Sequence, residues 1–314
     1  MKVFPIILAA ALGLLYGHYF YGFIFSSNIC LFAGLALMMP TLFNVKLSDI
    51  KLAYVHKSVV LKSIVINYVV LPFIALLVGL ATKDFGIAAG IFLLSVLSGG
   101  GMVMHWIKMS HGDTSIGFIL LFMNLIFVSL SLLMLHTFGI YSAAYFGEIY
   151  LREGNLQNFA KAVIILLIIV PFVASRIIMY IQPFKEFISS KRSYISSISI
   201  FIIVFYLFGL QNSQQLIDVY EFQPELIYIS IGAAFAFYGG VFVVAKYAYD
   251  MDSEQERAAF WHTVTRYITL ALVISTFSIK SFGVSMLLPI MFAYVIQIPF
   301  AAYIEKSLEK KKAI

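Results

Sequence analysis

Arg266 stands near the centre of an apolar stretch, with His262, Thr263, Thr265, Tyr267 and Thr269 gathered around it within eight positions. A guanidinium gives up to five hydrogen bonds in a rigid fork, the threonines and tyrosine supply hydroxyls, and an imidazole exchanges a proton near neutral pH. Such a set suits the recognition of a carboxylate or another oxyanion. In a second apolar stretch Gly99, Gly100 and Gly101 are consecutive, and His105 follows the last of them by four residues. Each glycine costs a helix interior about 1 kcal/mol relative to alanine. Three in a row predict a break that frees backbone amides and carbonyls.

The elements that position these residues belong in a bilayer. A chain that is 62% hydrophobic and 11% charged has too little polar surface to coat a soluble globule. The opening MKVFPIILAAALGLLYG reads as a retained first helix rather than a secretory signal. The pI near 9.2 reflects loop placement. No basic run is interleaved with aromatics, so nucleic acid is not an expected partner. Cys30 is alone, which rules out an intrachain disulfide and a thiolate cluster for a soft metal. There is no H-E-x-x-H, no G-x-S-x-G and no pair of membrane aspartates. No enzyme, cofactor or metal is expected.

About twenty apolar residues cross a bilayer. The chain divides accordingly into ten stretches, near 4–25, 27–45, 58–81, 86–110, 114–138, 158–181, 193–211, 225–249, 254–279 and 282–304, all within one transmembrane domain spanning 1–314. Short charged or turn-forming segments such as TKDF, HGD and DMDSEQER separate them. The longest gap, 139–157, contains aromatics and has room for an interfacial helix. Ten crossings put both termini on one side, with about fourteen of the Lys and Arg residues there against about four opposite, so both ends are expected in the cytoplasm. Lys62 and Arg176 lie near span ends and can snorkel. Arg266 is nine residues beyond Arg257, roughly 13 Å deep in a continuous helix. All fifteen acidic residues fall in loops or at span ends. The guanidinium must therefore be answered by helix-end carbonyls, by neutral oxygens, or by a ligand with its own negative charge.

A helix broken in the fourth stretch would present an N-terminus that favours anions and a C-terminus that favours cations. The glycines would equally suit close packing of a neighbouring helix, and the threonines can bond back to their own helix. Asn67, Asn124, Tyr238 and Gln297 are further buried polar candidates that also suit interhelical hydrogen bonding. His18, His56, His111 and His136 are interfacial. His105 and His262 lie at similar depth in the two interrupted stretches. Each could sit as a satisfied core residue or carry a proton.

With these residues in view, the chain resembles the superfamily of bile acid:sodium symporters and arsenite permeases, ten-helix secondary transporters. ALMMPTLFNVKLSDIK looks like the superfamily's second span and following loop, and GMVMHWIKMSHGD looks like the arsenite permease pattern through Met102, Val103, Trp106, Gly112 and Asp113. TRYITLALVIS and LLPIMFAYVIQIPF resemble the ninth and tenth spans. The resemblance implies an all-α fold with an inverted five-plus-five repeat. Spans four and nine would be unwound and cross at the substrate site, with spans 3–5 and 8–10 forming a core domain and spans 1, 2, 6 and 7 a panel.

The departures from that family concern cargo and coupling. Gly99 stands where arsenite permeases have a cysteine, Val103 and Met104 where sodium-coupled members have a Ser-Asn pair, and His262 and Arg266 where they have a Glu and a Gln. A fixed guanidinium supplies the charge of a missing sodium ion and can bind an oxyanion. The expected function is secondary transport of a small organic anion without the usual sodium sites, with His105 and His262 as candidates for proton coupling. The substrate-binding candidates are Arg266, Gly99, Gly100, Gly101, Thr263, Thr265, Tyr267, Thr269, Asn124 and Asn67. An arsenite or metalloid efflux permease is the alternative within the superfamily, and a channel or a non-transporting sensor the alternative outside it. The partners expected are the anion and the lipid bilayer, and oligomeric state is left open.

Overall fold

The computed structural model describes residues 4–20, 54–100, 103–150, 165, 169–209 and 223–312. The stretch 27–45, and with it Cys30, lies outside the described residues, as do Gly101 and Met102. The described chain is helical, with no strand beyond one isolated bridge. Four helical stretches are long and apolar enough to cross a membrane: Lys57–Thr82, Val128–Phe146, Glu225–Ala248 and Val284–Glu305. Their outer faces carry large apolar side chains in the open, among them Val69, Phe73, Leu77, Leu133, Tyr228 and Phe235. In water such a surface would drive association. In a bilayer it meets lipid.

In chain order the helices are α1 (Phe4–Phe20), α2 (Lys57–Val65), α3 (Leu71–Thr82), α4 (Phe85–Val96), α5 (Val103–Met109), α6 (Thr114–Ile126), α7 (Val128–Ser142), α8 (Val170–Tyr180), α9 (Gln182–Ser190), α10 (Arg192–Gly209), α11 (Glu225–Ala248), α12 (Glu254–Val264), α13 (Ile268–Phe282) and α14 (Leu287–Lys312). A π-helical turn, Ile66–Val70, joins α2 to α3. Its cause is adjacent in sequence: Pro72 has no N–H to return to the Tyr68 carbonyl, and the Leu71 amide reaches back to Ile66 instead.

Two expected segments differ from the structure. The stretch 139–146 is not a separate interfacial helix, because α7 continues through Ser142 and a 3-10 turn, Ala143–Phe146, completes it. The expected connection FKEFISSKR is largely helical as α9, which carries Pro183 in its first turn, where the fixed φ of proline suits a helix.

One large apolar cluster unites α2 to α7 with α11 to α14. A smaller one, around Ala9 and Val204, joins α1 to α10 and touches the rest through Ile298 and Phe208. Two helices, α4 and α12, lie deep inside the large cluster. Every residue of α4 is buried, and α12 is buried from Arg257 to its end.

Candidate functional site

Two buried segments are broken, and they are built alike. Asp84 caps α4 by accepting from the Ile87 amide at 2.7 Å, and the helix runs 12 residues before stopping at Leu97. Ser253 caps α12 by accepting from the Glu256 amide at 3.4 Å, and that helix runs 11 residues before stopping at Thr265. Both chains then extend and pair. Ser98 and Arg266 form an antiparallel bridge. The Tyr267 amide donates to the Leu97 carbonyl at 2.9 Å, and the Gly99 amide donates to the carbonyls of Thr265 at 2.8 Å and His262 at 3.1 Å. Backbone groups freed by the breaks thus satisfy one another, the condition for irregular chain at membrane depth.

Glycine is required at the crossing for reasons of space and of conformation. Gly99 has φ +64°, the left-handed region, and a Cβ there would collide with the His262 ring. At Gly100 a Cβ would fall 2.8 Å from the Arg266 carbonyl oxygen.

The Arg266 side chain is 1% exposed. Its Nε donates to the Leu94 carbonyl at 3.0 Å, Nη2 to the Ser95 carbonyl at 2.5 Å, and Nη1 to the Asn67 Oδ1 at 2.6 Å and the Thr263 carbonyl at 2.9 Å. Leu94 and Ser95 are in the last turn of α4 and Thr263 in the last turn of α12, where helix dipoles favour a cation. Every partner is a neutral oxygen. Among the described residues no carboxylate lies within ion-pair distance of Arg266. The Arg266 backbone is held separately: Gln297 Oε1 accepts from its amide at 2.6 Å, Gln297 Nε2 donates to its carbonyl at 3.3 Å, and the Tyr238 hydroxyl donates to Gln297 Oε1 at 2.8 Å.

Asn67 sits in the π turn and works with both ends of its amide. Oδ1 takes the guanidinium proton, while Nδ2 donates to the Ser63 carbonyl at 2.8 Å and to the hydroxyls of Ser63 and Thr263, each at 3.2 Å. Thr263 is also 3.0 Å from the Tyr249 hydroxyl, and Thr269 accepts from the Tyr294 hydroxyl at 3.1 Å. Thr265 turns back on its own helix, donating to the Trp261 carbonyl at 2.6 Å. Tyr267 contributes the backbone bond to Leu97 described above, with its side chain buried.

The two histidines are not neighbours in role. His262 is fully buried, its Nε2 is 2.8 Å from the Gly117 carbonyl, and its Nδ1 is 3.3 Å from Asn124 Nδ2. A carbonyl only accepts, so the proton is on Nε2 and Nδ1 takes the Asn124 amide proton. His105 is exposed on α5, because Val103, Met104, Trp106 and Ile107 take the buried face. Asn124 is thereby placed at the crossing through His262, and His105 outside it.

Three contributors escaped the reading of the sequence. Ser98, directly before the glycines, is 1% exposed and its Oγ has no hydrogen-bond partner. Arg257 is buried in the first turn of α12 and donates to the carbonyls of Met251, Asp252, Ser110 and His111. Ser110 Oγ accepts from the Trp261 indole at 2.8 Å, in a corner where Trp106 and Trp261 stack at 5.5 Å. Position next to a break was the available signal for Ser98. Arg257 had none, since span-end arginines are ordinary.

A helical membrane chain with a break deep in its buried core fits a carrier scaffold, and comparison with known families narrows this. The sodium bile acid symporter family matches residues 29–216, more than half of the chain. The chain belongs to the sodium bile acid symporter family. It is accordingly an integral membrane transporter. The matched range takes in Asn67, the glycine break, His105 and Asn124, and it ends before His262, Arg266 and Gln297. No curated protein matches the chain. Among the described residues no group of three His, Cys, Asp or Glu side chains could hold a metal ion.

Proposed function

We propose that this symporter-family chain is an alternating-access carrier of a small organic anion that does not use sodium, its substrate seated at the crossing of the two broken spans. One observation carries the reading: a buried guanidinium whose partners are all neutral oxygens. The C-termini of α4 and α12 offset most of that charge, and the N-terminus of α13, opening at Ile268, adds partial positive charge on the other side of the break. The three half-helix ends sum to about half a negative charge, so the crossing is left about half a unit positive. Buried net positive charge favours an anion beside it. The unpartnered Ser98 hydroxyl offers that anion a hydrogen bond.

In this reading the chain crosses the membrane ten times with both ends cytoplasmic, and the likeness of the two capped, broken helices supports an inverted repeat. The crossing also involves Gly99, Gly100, Asn67, Asn124, Thr263, Thr265, Tyr267 and Thr269, with Gly101 outside the described residues. Proton coupling would fall to His262 rather than His105, since His262 Nδ1 faces the crossing and meets only an amide donor.

The test is uptake of small carboxylates into proteoliposomes under a sodium gradient, a proton gradient or neither. Uptake that ignores sodium is the expected result. Strict sodium dependence would overturn the proposal, and acceleration by inward protons that is lost in His262→Gln would assign the coupling.

A further inference from the structure

The family's name carries sodium, which a symporter moves as cargo, so the crossing can be asked whether it has a place for that ion. The four oxygens around Arg266 form the right kind of cage. Three are main-chain carbonyls from the ends of α4 and α12, and the fourth is a side-chain amide oxygen fixed by the π turn. Carbonyl and amide oxygens are ligands of hard cations. Two helix C-termini at about half a negative charge each call for about one positive charge at the point where they converge.

That point is taken. The guanidinium lies between the four oxygens at 2.5 to 3.0 Å and uses four of its five N–H donors on them. The residues present do not fit a free sodium ion there. We infer that the cage is a cation site which this chain fills permanently with its own side chain, Arg266 being a tethered cation in place of an exchangeable one. The inference deepens the sodium-independent reading given above.

Tethering changes the energetics of transport. An exchangeable cation enters from the side where it is concentrated and lends its gradient to the co-transported solute. A side chain enters from neither side. The crossing is held together electrostatically in every state of the cycle, and no ion gradient is tapped at this position. A carrier built this way equilibrates or exchanges its anion, unless a proton drives it from another site.

The site also explains why the oxygens are kept. An apolar residue at 266 would leave four buried acceptors unanswered, which is costly away from water. A cage emptied of its arginine therefore has reason to take a small cation from solution.

Thermal unfolding of the purified full chain, without any transport substrate, tests this. Wild type and Arg266→Ala are each melted in sodium chloride, guanidinium chloride at millimolar concentration, and choline chloride, at matched ionic strength. Wild type is expected to melt at one temperature in all three salts. Arg266→Ala is expected to melt lower in choline and to recover saturably in guanidinium or sodium. Saturable stabilisation of the wild type by sodium would overturn the inference, and so would a folded Arg266→Ala that responds to neither cation. If the alanine form does not fold, Arg266→Lys and Arg266→Gln decide: the lysine form keeps the charge and is expected to be the more stable, and the reverse order would overturn the inference. These melts need no transport. A chain that moves no anion in vesicles yet melts in this pattern would lose the carrier reading and keep the filled cage.

Discussion

Arg257 and Arg266 are nine residues apart on one broken span, both are buried, and both give their protons almost wholly to main-chain carbonyls. Their surroundings separate them. Arg257 lies in the first turn of α12, where the turn after α11 meets the turn after α5, next to the exposed acids Asp252 and Glu254, and it staples the 251–252 turn to Ser110 and His111. Arg266 lies at the crossing, joined to two helix ends and an asparagine, with no acid in reach among the described residues. At the bundle's end, water can replace a lost guanidinium. At the centre water cannot, and the same residue type passes from a staple to a fixed charge on which the crossing depends.

The comparison breaks if the two arginines respond alike to truncation. Arg266→Ala is expected to cost at least about 3 kcal/mol, since four acceptors are left dry, and to abolish uptake. Melting temperature and vesicle uptake measured together check it. Asn67→Asp sharpens the electrostatic side by placing a carboxylate where Oδ1 now meets the guanidinium at 2.6 Å. The charge of the crossing is then cancelled. Anion uptake is expected to fall at least about tenfold while the chain still folds, and undiminished uptake would mean that the cargo does not sense the charge.

Much of this site was legible because it breaks rules that membrane helices otherwise obey. Consecutive glycines and a central arginine are expensive in lipid, and both marked the crossing before any geometry was known. What answers the arginine was not legible. Leu94 and Ser95 are ordinary helix residues, and a main-chain carbonyl leaves no trace in residue type. The exposure of His105 depended on which face of a seven-residue helix packs inward, a matter of phase that a single sequence does not fix. Proline was an ambiguous signal: Pro72 follows the π turn and Pro183 falls in the first turn of α9, and only the structure shows that the first widens a helix and the second starts one.

Gly99→Ala probes the other half of the crossing and should come next in size. A left-handed backbone costs a residue with a Cβ about 1–2 kcal/mol, and the new methyl must push His262 from its place between Gly117 and Asn124. Overpacking of this kind costs about 1–3 kcal/mol more. Substrate affinity should suffer along with stability. A variant that melts lower yet binds normally would place the cargo away from His262.

Arg257→Ala removes five hydrogen bonds, more than Arg266 makes, yet it is expected to cost less, about 1–3 kcal/mol. Its acceptors lie at the end of the bundle, where solvent can reach them. Uptake should slow without changing its preference among anions. If Arg257→Ala proved as damaging as Arg266→Ala, depth would not be what distinguishes the pair.

The smallest effect is expected at a third cation on the same end of the molecule. Lys62 meets both carboxylate oxygens of Glu256 at 2.9 Å, linking α2 to α12, but the lysine side chain is 36% exposed. Solvent and salt screen such a pair to about 0–1 kcal/mol. Glu256 has a second duty, accepting from the Asp250 amide at 2.7 Å, which Lys62→Gln leaves intact. That substitution should shift the melting temperature little and leave uptake near normal, with even this difference fading at high salt. A large, salt-resistant loss of uptake in Lys62→Gln would instead mean that α2 and α12 must stay ionically coupled through the cycle, and that charge at the bundle's end is as consequential as charge at its centre.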